Sequence, residues 1–296
     1  MTREPLRSRS DWDANQKRDL VMPPAPAPLP IAVADSHCHL DIKDGDAYLD
    51  ASEALEMARV AGVDRVVQVG VDIESSRWSV QAAHDYPNVL ATVALHPNEA
   101  PRIAAEQGMA ALEAAWEEIA LLAQDPRVRG IGETGLDFFR TDSDGLPAQE
   151  QSFREHIRLA KQLNKALIIH DRDAHDDVVR VLLDEGAPDK VVFHCFSGDG
   201  SLAQIAAEHG WYCSFAGTVT FKNSHNIREG LVALPKELIL VETDAPFLTP
   251  TPFRGRPNAS YLIPLTVRYM AEVRGMPLDS LCEAISDNSN EVFGSF

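Results

Sequence analysis

The chain has 296 residues, 45% of them hydrophobic, enough to bury one large α/β domain or two ordinary ones. Its 45 Asp and Glu outweigh 27 Lys and Arg, a formal charge of −18. That balance excludes a broad basic face for nucleic acid, but not a phosphate-bearing substrate held locally by bound cations.

The four cysteines (Cys38, Cys195, Cys213, Cys282) lie far apart without C-x-x-C spacing, and read as reduced packing residues of a cytoplasmic protein. No uninterrupted apolar run reaches membrane length. The apolar stretch from Val21 to Leu29 is broken by prolines, so no secretory signal is expected.

Residues 1–30 end in a proline-rich stretch and read as an extended, poorly ordered arm, to which Trp12 and Leu20 give some apolar purchase. From residue 31 to 296 short β-branched runs alternate with longer stretches of helical periodicity. Strands are predicted at 31–36, 64–70, 89–95, 128–132, 166–170, 190–194, 211–215 and 238–242. Helices are predicted near 46–61, 74–84, 108–124, 149–163, 175–184, 200–208 and 225–233, with two more near 259–274 and 278–286. Eight such units fit a single (β/α)₈ TIM barrel. A doubly wound open sheet is disfavoured, because no glycine-rich phosphate loop follows the first strand.

By strand alternation, Asp35, His37 and His39 point to one face, and two imidazoles two residues apart form a pincer for a divalent metal. Alone, such a pair reads as a solvated strand end. The later strands change that reading. Strand three ends in His96, strand four in Glu133, strand five in His170, strand six in His194 and strand eight in Glu242-Thr243-Asp244. A barrel gathers these ends at one face, where active sites are built. A metal centre follows.

The residues that carry this pattern also resemble a known family. Asp35-Ser-His-Cys-His39, Ile131-Gly-Glu-Thr-Gly-Leu-Asp137, His170-Asp-Arg-Asp-Ala174, His194-Cys-Phe-Ser-Gly198 and Glu242-Thr-Asp-Ala-Pro-Phe-Leu-Thr-Pro250 are similar, in order, to the motifs of TatD-type metal-dependent hydrolases. These are TIM-barrel nucleases of the amidohydrolase superfamily. The resemblance implies two divalent ions (Mg²⁺, Mn²⁺ or Zn²⁺). It assigns His37 and His39 to one, Glu133 as the bridge, and His170 and His194 to the other. Asp244 is implied to contact the first ion and to handle protons at the attacking water. Two oxygens also suit Glu133 to spanning cations about 3.5–4 Å apart. Arg172 matches an arginine that holds substrate phosphate, its competing reading being a surface pair with Asp173 or Asp177. Arg254 and Asn258 fall in a loop that often reads Arg-Gly-x-x-Asn-Glu-Pro in relatives. Here Ala259-Ser260 replaces Glu-Pro. His96 either lines the pocket or caps its strand.

The expected activity is a deoxyribonuclease working 3′ to 5′ on DNA, cytoplasmic, with no membrane association and no obligate protein partner. Deacylation of D-aminoacyl-tRNA at the same site is the alternative, and a non-catalytic metal-binding protein is a weaker one. His84, His156, His175, His209 and His225 are expected at solvated or partly packed positions. Cys195 is expected to face away from the site, and Asp142 and Asp144 to lie in a solvated loop.

Overall fold

The computed structural model describes residues 4–9, 18–45 and 48–296. Eight parallel strands run β1 (Val33–Cys38), β2 (Val63–Val69), β3 (Val89–Val93), β4 (Val128–Asp137), β5 (Ala166–Arg172), β6 (Val191–Phe193), β7 (Tyr212–Phe215) and β8 (Ile239–Val241), each paired with its sequence neighbour. β3, β6, β8 and the first half of β5 read as nearly unbroken Val, Ile, Leu and Ala because helices cover one face and the barrel interior the other. Closure comes from β1 and the segment after β8: Cys38 bridges to Ala245, His39 N donates to Ala245 O at 2.8 Å, and Asp244 N donates to His37 O at 2.9 Å. The result is the expected (β/α)₈ barrel.

Around it lie α1 (Ala51–Val60), α2 (Ile73–Asp85), α3 (Glu99–Gln107), α4 (Met109–Leu122), α5 (Leu146–Leu163), α6 (His175–Glu185), α7 (Gly200–His209), α8 (His225–Ala233), α9 (Ile263–Arg274) and α10 (Leu278–Phe293). Local chemistry marks their ends. Asp50, Asp72 and Asp199 cap α1, α2 and α7 through side-chain acceptors, and Asn164 closes α5 in the left-handed region. The sequence reading missed α3, which contains Pro101. That proline sits in the first turn, where its missing N–H would have no helical partner, so it does not break the helix. Among the described residues no helix is long and apolar enough to cross a membrane.

Residues 18–30, the end of the proline-rich arm, lie against the barrel. Tyr261 Oη donates to Pro23 O at 2.5 Å, Arg268 Nη2 to Pro28 O at 2.8 Å, and Leu29 N to Ala61 O at 3.0 Å. Arg7–Ser8 adds a short parallel ladder to Ile42–Lys43, just after β1. Trp12 lies outside the described residues, as do residues 46 and 47 of the first predicted helix.

Candidate metal centre

The site gathers at the carboxyl ends of the strands, with Glu133 at its middle. Its Oε1 lies 2.6 Å from His170 Nδ1, 2.9 Å from His194 Nε2 and 3.4 Å from His96 Nε2. Its Oε2 lies 3.5 Å from His37 Nε2. On that side Asp244 Oδ1 is 3.4 Å from His39 Nε2 and 3.8 Å from His37 Nε2. The donor atoms of His37, Glu133 and His194, of His37, His39 and Asp244, and of His96, Glu133 and His170 each lie within 4.8 Å of one another. All six residues expected from the sequence as ligands therefore converge, and His96 joins them.

This set fits divalent cations on its own chemistry. Imidazoles and carboxylates in this proportion suit zinc, manganese and their neighbours. Both ring nitrogens of His37 and Nε2 of His170 are buried without a hydrogen-bond partner among the described residues. Polar atoms left so in a folded interior are costly unless something they can coordinate is bound there.

Charge is concentrated strongly. Burial alone would raise the Glu133 carboxyl, but His194, His96 and His170 hold it well below the usual carboxylate range. Burial likewise opposes charge on His194, yet Glu133 and Glu242 push it well up. His37 is lowered by burial and by the His194 ring stacked 3.9 Å away. Since metal ligation needs neutral imidazoles, cation binding here would release protons.

The strand ends aim these groups by breaking their own regularity. Alternation fails in β1, where the pairing register shifts between Asp35 and Cys38. Asp35 consequently accepts from Thr243 Oγ1 (2.6 Å) and N (3.0 Å) instead of facing the site, while Ser36 reaches Ser214 across the barrel. Burial raises the Asp35 carboxyl to about 7. Asp244 and Cys195 both take positive φ (52° and 43°), uncommon for residues with a Cβ and frequent at functional sites. Cys195 lies beyond β6, so strand alternation does not govern it. Burial nonetheless raises its thiol far from the reactive range. Gly135 has φ +135°, and a Cβ there would overlap the His170 carbonyl oxygen. That close approach explains the second glycine of Gly132-Glu-Thr-Gly135.

Behind the ligands stand residues that sequence reasoning did not assign. Glu242 accepts from His194 Nδ1 (3.1 Å) and Cys195 N (2.8 Å), which fixes the ring that presents Nε2 to Glu133. Asp137 lies 3.3 Å from His170 Nε2 and accepts from Asn98 Nδ2 at 3.2 Å. His156 departs from expectation: it is 1% exposed, not solvated. Leu95 N donates to its Nε2 (3.2 Å), its Nδ1 donates to Ser152 O (2.7 Å), and Thr134 Oγ1 lies 3.0 Å from Nδ1. It thus ties the residue before His96 to the residue after Glu133. Its helical apolar register on α5, beside Phe153, Ile157 and Ala160, was the available signal.

The remaining predicted residues sit at the rim. The Arg172 guanidinium lies over the Phe139 ring, 4.0 Å from its centroid, while Asp177 pairs with Arg180. Phe139 is 64% exposed. Arg254 is exposed and stacks on Phe221 at 4.4 Å, away from the ligands. Asn258 is buried and donates to Thr243 O (3.0 Å) and Phe247 O (2.6 Å), a structural pin. The other four histidines follow expectation: His84 pairs with Asp125, His175 with Asp171, His209 stacks on Trp211, and Arg228 donates to His225.

Residues 34–294 match the family described as TatD related DNase. The chain belongs to the TatD family of metal-dependent hydrolases. A metal-dependent hydrolase of Mycobacterium tuberculosis is 40% identical over 267 residues, covering 88% of this chain and 97% of that one. One from Bacillus subtilis is 34% identical over 260 residues, covering 88% and 98%. The crystal structure of a TatD homologue from Escherichia coli superposes with a TM-score of 0.79 at 27% identity, covering 88% and 97%. The match to the TatD family thus spans the barrel, and the arm precedes it.

Proposed function

We propose that this TatD-family hydrolase is a phosphodiesterase, a deoxyribonuclease that shortens DNA from its 3′ end by water attack. The observation that carries the reading is Glu133, whose two oxygens face two different imidazole sets. His37, His39, Asp244 and Glu133 would hold one divalent ion, and Glu133, His170 and His194 the other. When bound, such ions supply Lewis acidity and lower the pKa of water.

The chain's own groups do the rest. Asp244, on the His39 side with its carboxyl held low by His39 and His37 against the effect of burial, is ionised and able to accept the proton of the attacking water. Arg172 offers a planar fork to the phosphate oxygens, and Phe139 beneath it offers a ring face on which a base can stack. His156 and Glu242 keep the ligands in place, so that little reorganisation accompanies the reaction. The description of the matched family as a DNase supports the substrate class.

End-labelled single-stranded DNA and D-aminoacyl-tRNA, offered side by side to metal-loaded protein, test the reading. The DNA should shorten progressively from the 3′ end, and chelation should stop it. DNA left at full length while D-aminoacyl-tRNA is discharged would overturn it.

A further inference from the structure

The family match begins at residue 34, yet the residues before it reach the catalytic face. Leu6 N and Arg7 N donate to Asp41 O, and Arg9 N donates to Lys43 O, so the arm runs beside the loop that follows His39. The Arg7 guanidinium closes on Asp41 (Nη2 to Oδ2, 2.5 Å), a carboxylate with no exposed side-chain surface. Arg18 grips Asp44 with both terminal nitrogens, 2.6 Å each, and its Nε donates to Gly255 O at 2.9 Å. Arg9 Nη1 lies 3.5 Å from the same Asp44 and donates to Pro246 O at 3.0 Å. Its guanidinium covers the Phe247 ring at 4.9 Å, and that ring meets His39 edge-on at 6.4 Å. Leu20 packs over Gly45, and Met22 walls a small cavity shared with His39, Tyr48 and Asn258.

Each contact lands within a few residues of a ligand or on the loop after β8. Asp41 is two residues beyond His39, and Pro246 two beyond Asp244. Asp44 is 3% exposed, a buried charge that needs its cations. Two loops that follow His39 and Asp244, neighbours in one cluster, are therefore tied through a single carboxylate by residues outside the barrel.

We propose that residues 4–9 and 18–22 form a clasp that is a positioning element of the active site. Arg9 and Arg18, closing together on Asp44, lock the loop after β1 to the loop after β8 and hold Phe247 against His39 as one wall of the entry. The clasp governs how tightly a polymeric substrate is seated, leaving the chemical step to the ligands. The substrate part of this inference rests on the phosphodiesterase reading; the loop-locking part does not.

The test compares full-length protein with Arg18→Ala and Arg18→Lys, each metal-loaded. Arg18→Ala should raise KM for a single-stranded oligonucleotide about tenfold, equivalent to about 1.4 kcal/mol. Its kcat should stay within about twofold and its metal content unchanged. Hydrogen exchange should quicken at 41–45 and 246–258. Arg18→Lys keeps the charge but loses the fork, and should fall between. If Arg18→Ala does not fold, Arg18→Lys and Arg9→Lys carry the same comparison. Unchanged KM in these variants, with or without quickened exchange, overturns the clasp as a positioning element. A wild type that leaves DNA intact and discharges D-aminoacyl-tRNA retires the nuclease reading instead. The same KM comparison on that ester then decides the clasp.

Discussion

His156 offers the sharpest test of how the site is supported. Burial pushes its imidazole from 6.5 down to about 4, the bond to Ser152 O opposing this only in part. The native protein therefore keeps the ring neutral over a range where the unfolded chain protonates it. Because the folded value is the lower one, unfolding takes up a proton as pH falls below 6.5. Stability is full above that pH and is lost toward pH 4. The gap between the two values is worth about 3 kcal/mol. By about pH 5, about 2 kcal/mol of it should be gone. His156→Gln keeps an acceptor and a donor but does not titrate. Near pH 7.5 it should cost about 1–2 kcal/mol through poorer bonds to Leu95 N and Ser152 O. Urea unfolding of both proteins, stripped of metal, gives the difference at each pH. The titrating ligands are common to the two and cancel. The difference should shift by about 2 kcal/mol toward the variant from pH 7.5 to pH 5, closing the gap or reversing its sign. A gap constant across that range would mean that His156 is not buried neutral, and its role as a pin between β3 and β4 would fall with it.

Three further outcomes follow from the site. Asp244→Asn should lose about 10²–10⁴-fold in kcat, with metal occupancy measured in the same samples; near-normal turnover refutes the proton-accepting role. Glu242→Gln removes the charge behind His194 and should weaken metal retention about tenfold in a chelator competition, whereas unchanged retention shows that the ring is fixed without it. Arg172→Lys should impair DNA hydrolysis: a loss confined to KM means uniform phosphate binding, one in kcat a contact made in the transition state, and no loss in either removes Arg172 from substrate binding.

The barrel and the ligands were legible for the same reason. Buried parallel strands are rich in apolar residues, so polar residues recurring at their carboxyl ends stand out, as His37, His96, Glu133, His170, His194 and Asp244 do. What lay behind them was not legible. His156 belongs to a helical apolar stripe and becomes a pin only when α5 packs against β3 and β4. Asp35 looked like a third member of the His37 face because alternation assumes even register, and the shift between Asp35 and Cys38 turns it to Thr243. α3 was hidden by Pro101, whose meaning depends on where the helix begins. The arm's arginines carried no periodic signal at all, since their partners Asp41, Asp44 and Pro246 are distant in sequence.

The acidic composition and the proposed polyanionic substrate are reconciled by where the charges are spent. On the helical exterior, acids and bases neutralise one another: Arg154 with Glu150 and Glu185, Arg158 with Glu155, Arg180 with Asp177 and Glu150. Such exposed pairs contribute little to a field felt at a distance. Around the mouth the arginines are disposed differently. Arg172 stacks on Phe139 and Arg254 on Phe221, whereas Arg9 and Arg256 also pair with Asp44 and Asp19. The first two cation–ring pairs join a charge suited to phosphate with a surface suited to a base. A chain of net charge −18 would repel DNA along most of its surface. On the proposed nuclease reading, contact should be limited to these arginines, which favours entry of a strand end over an internal stretch of duplex. On that reading, the same charge that disfavours broad nucleic-acid binding favours a substrate presented by its terminus.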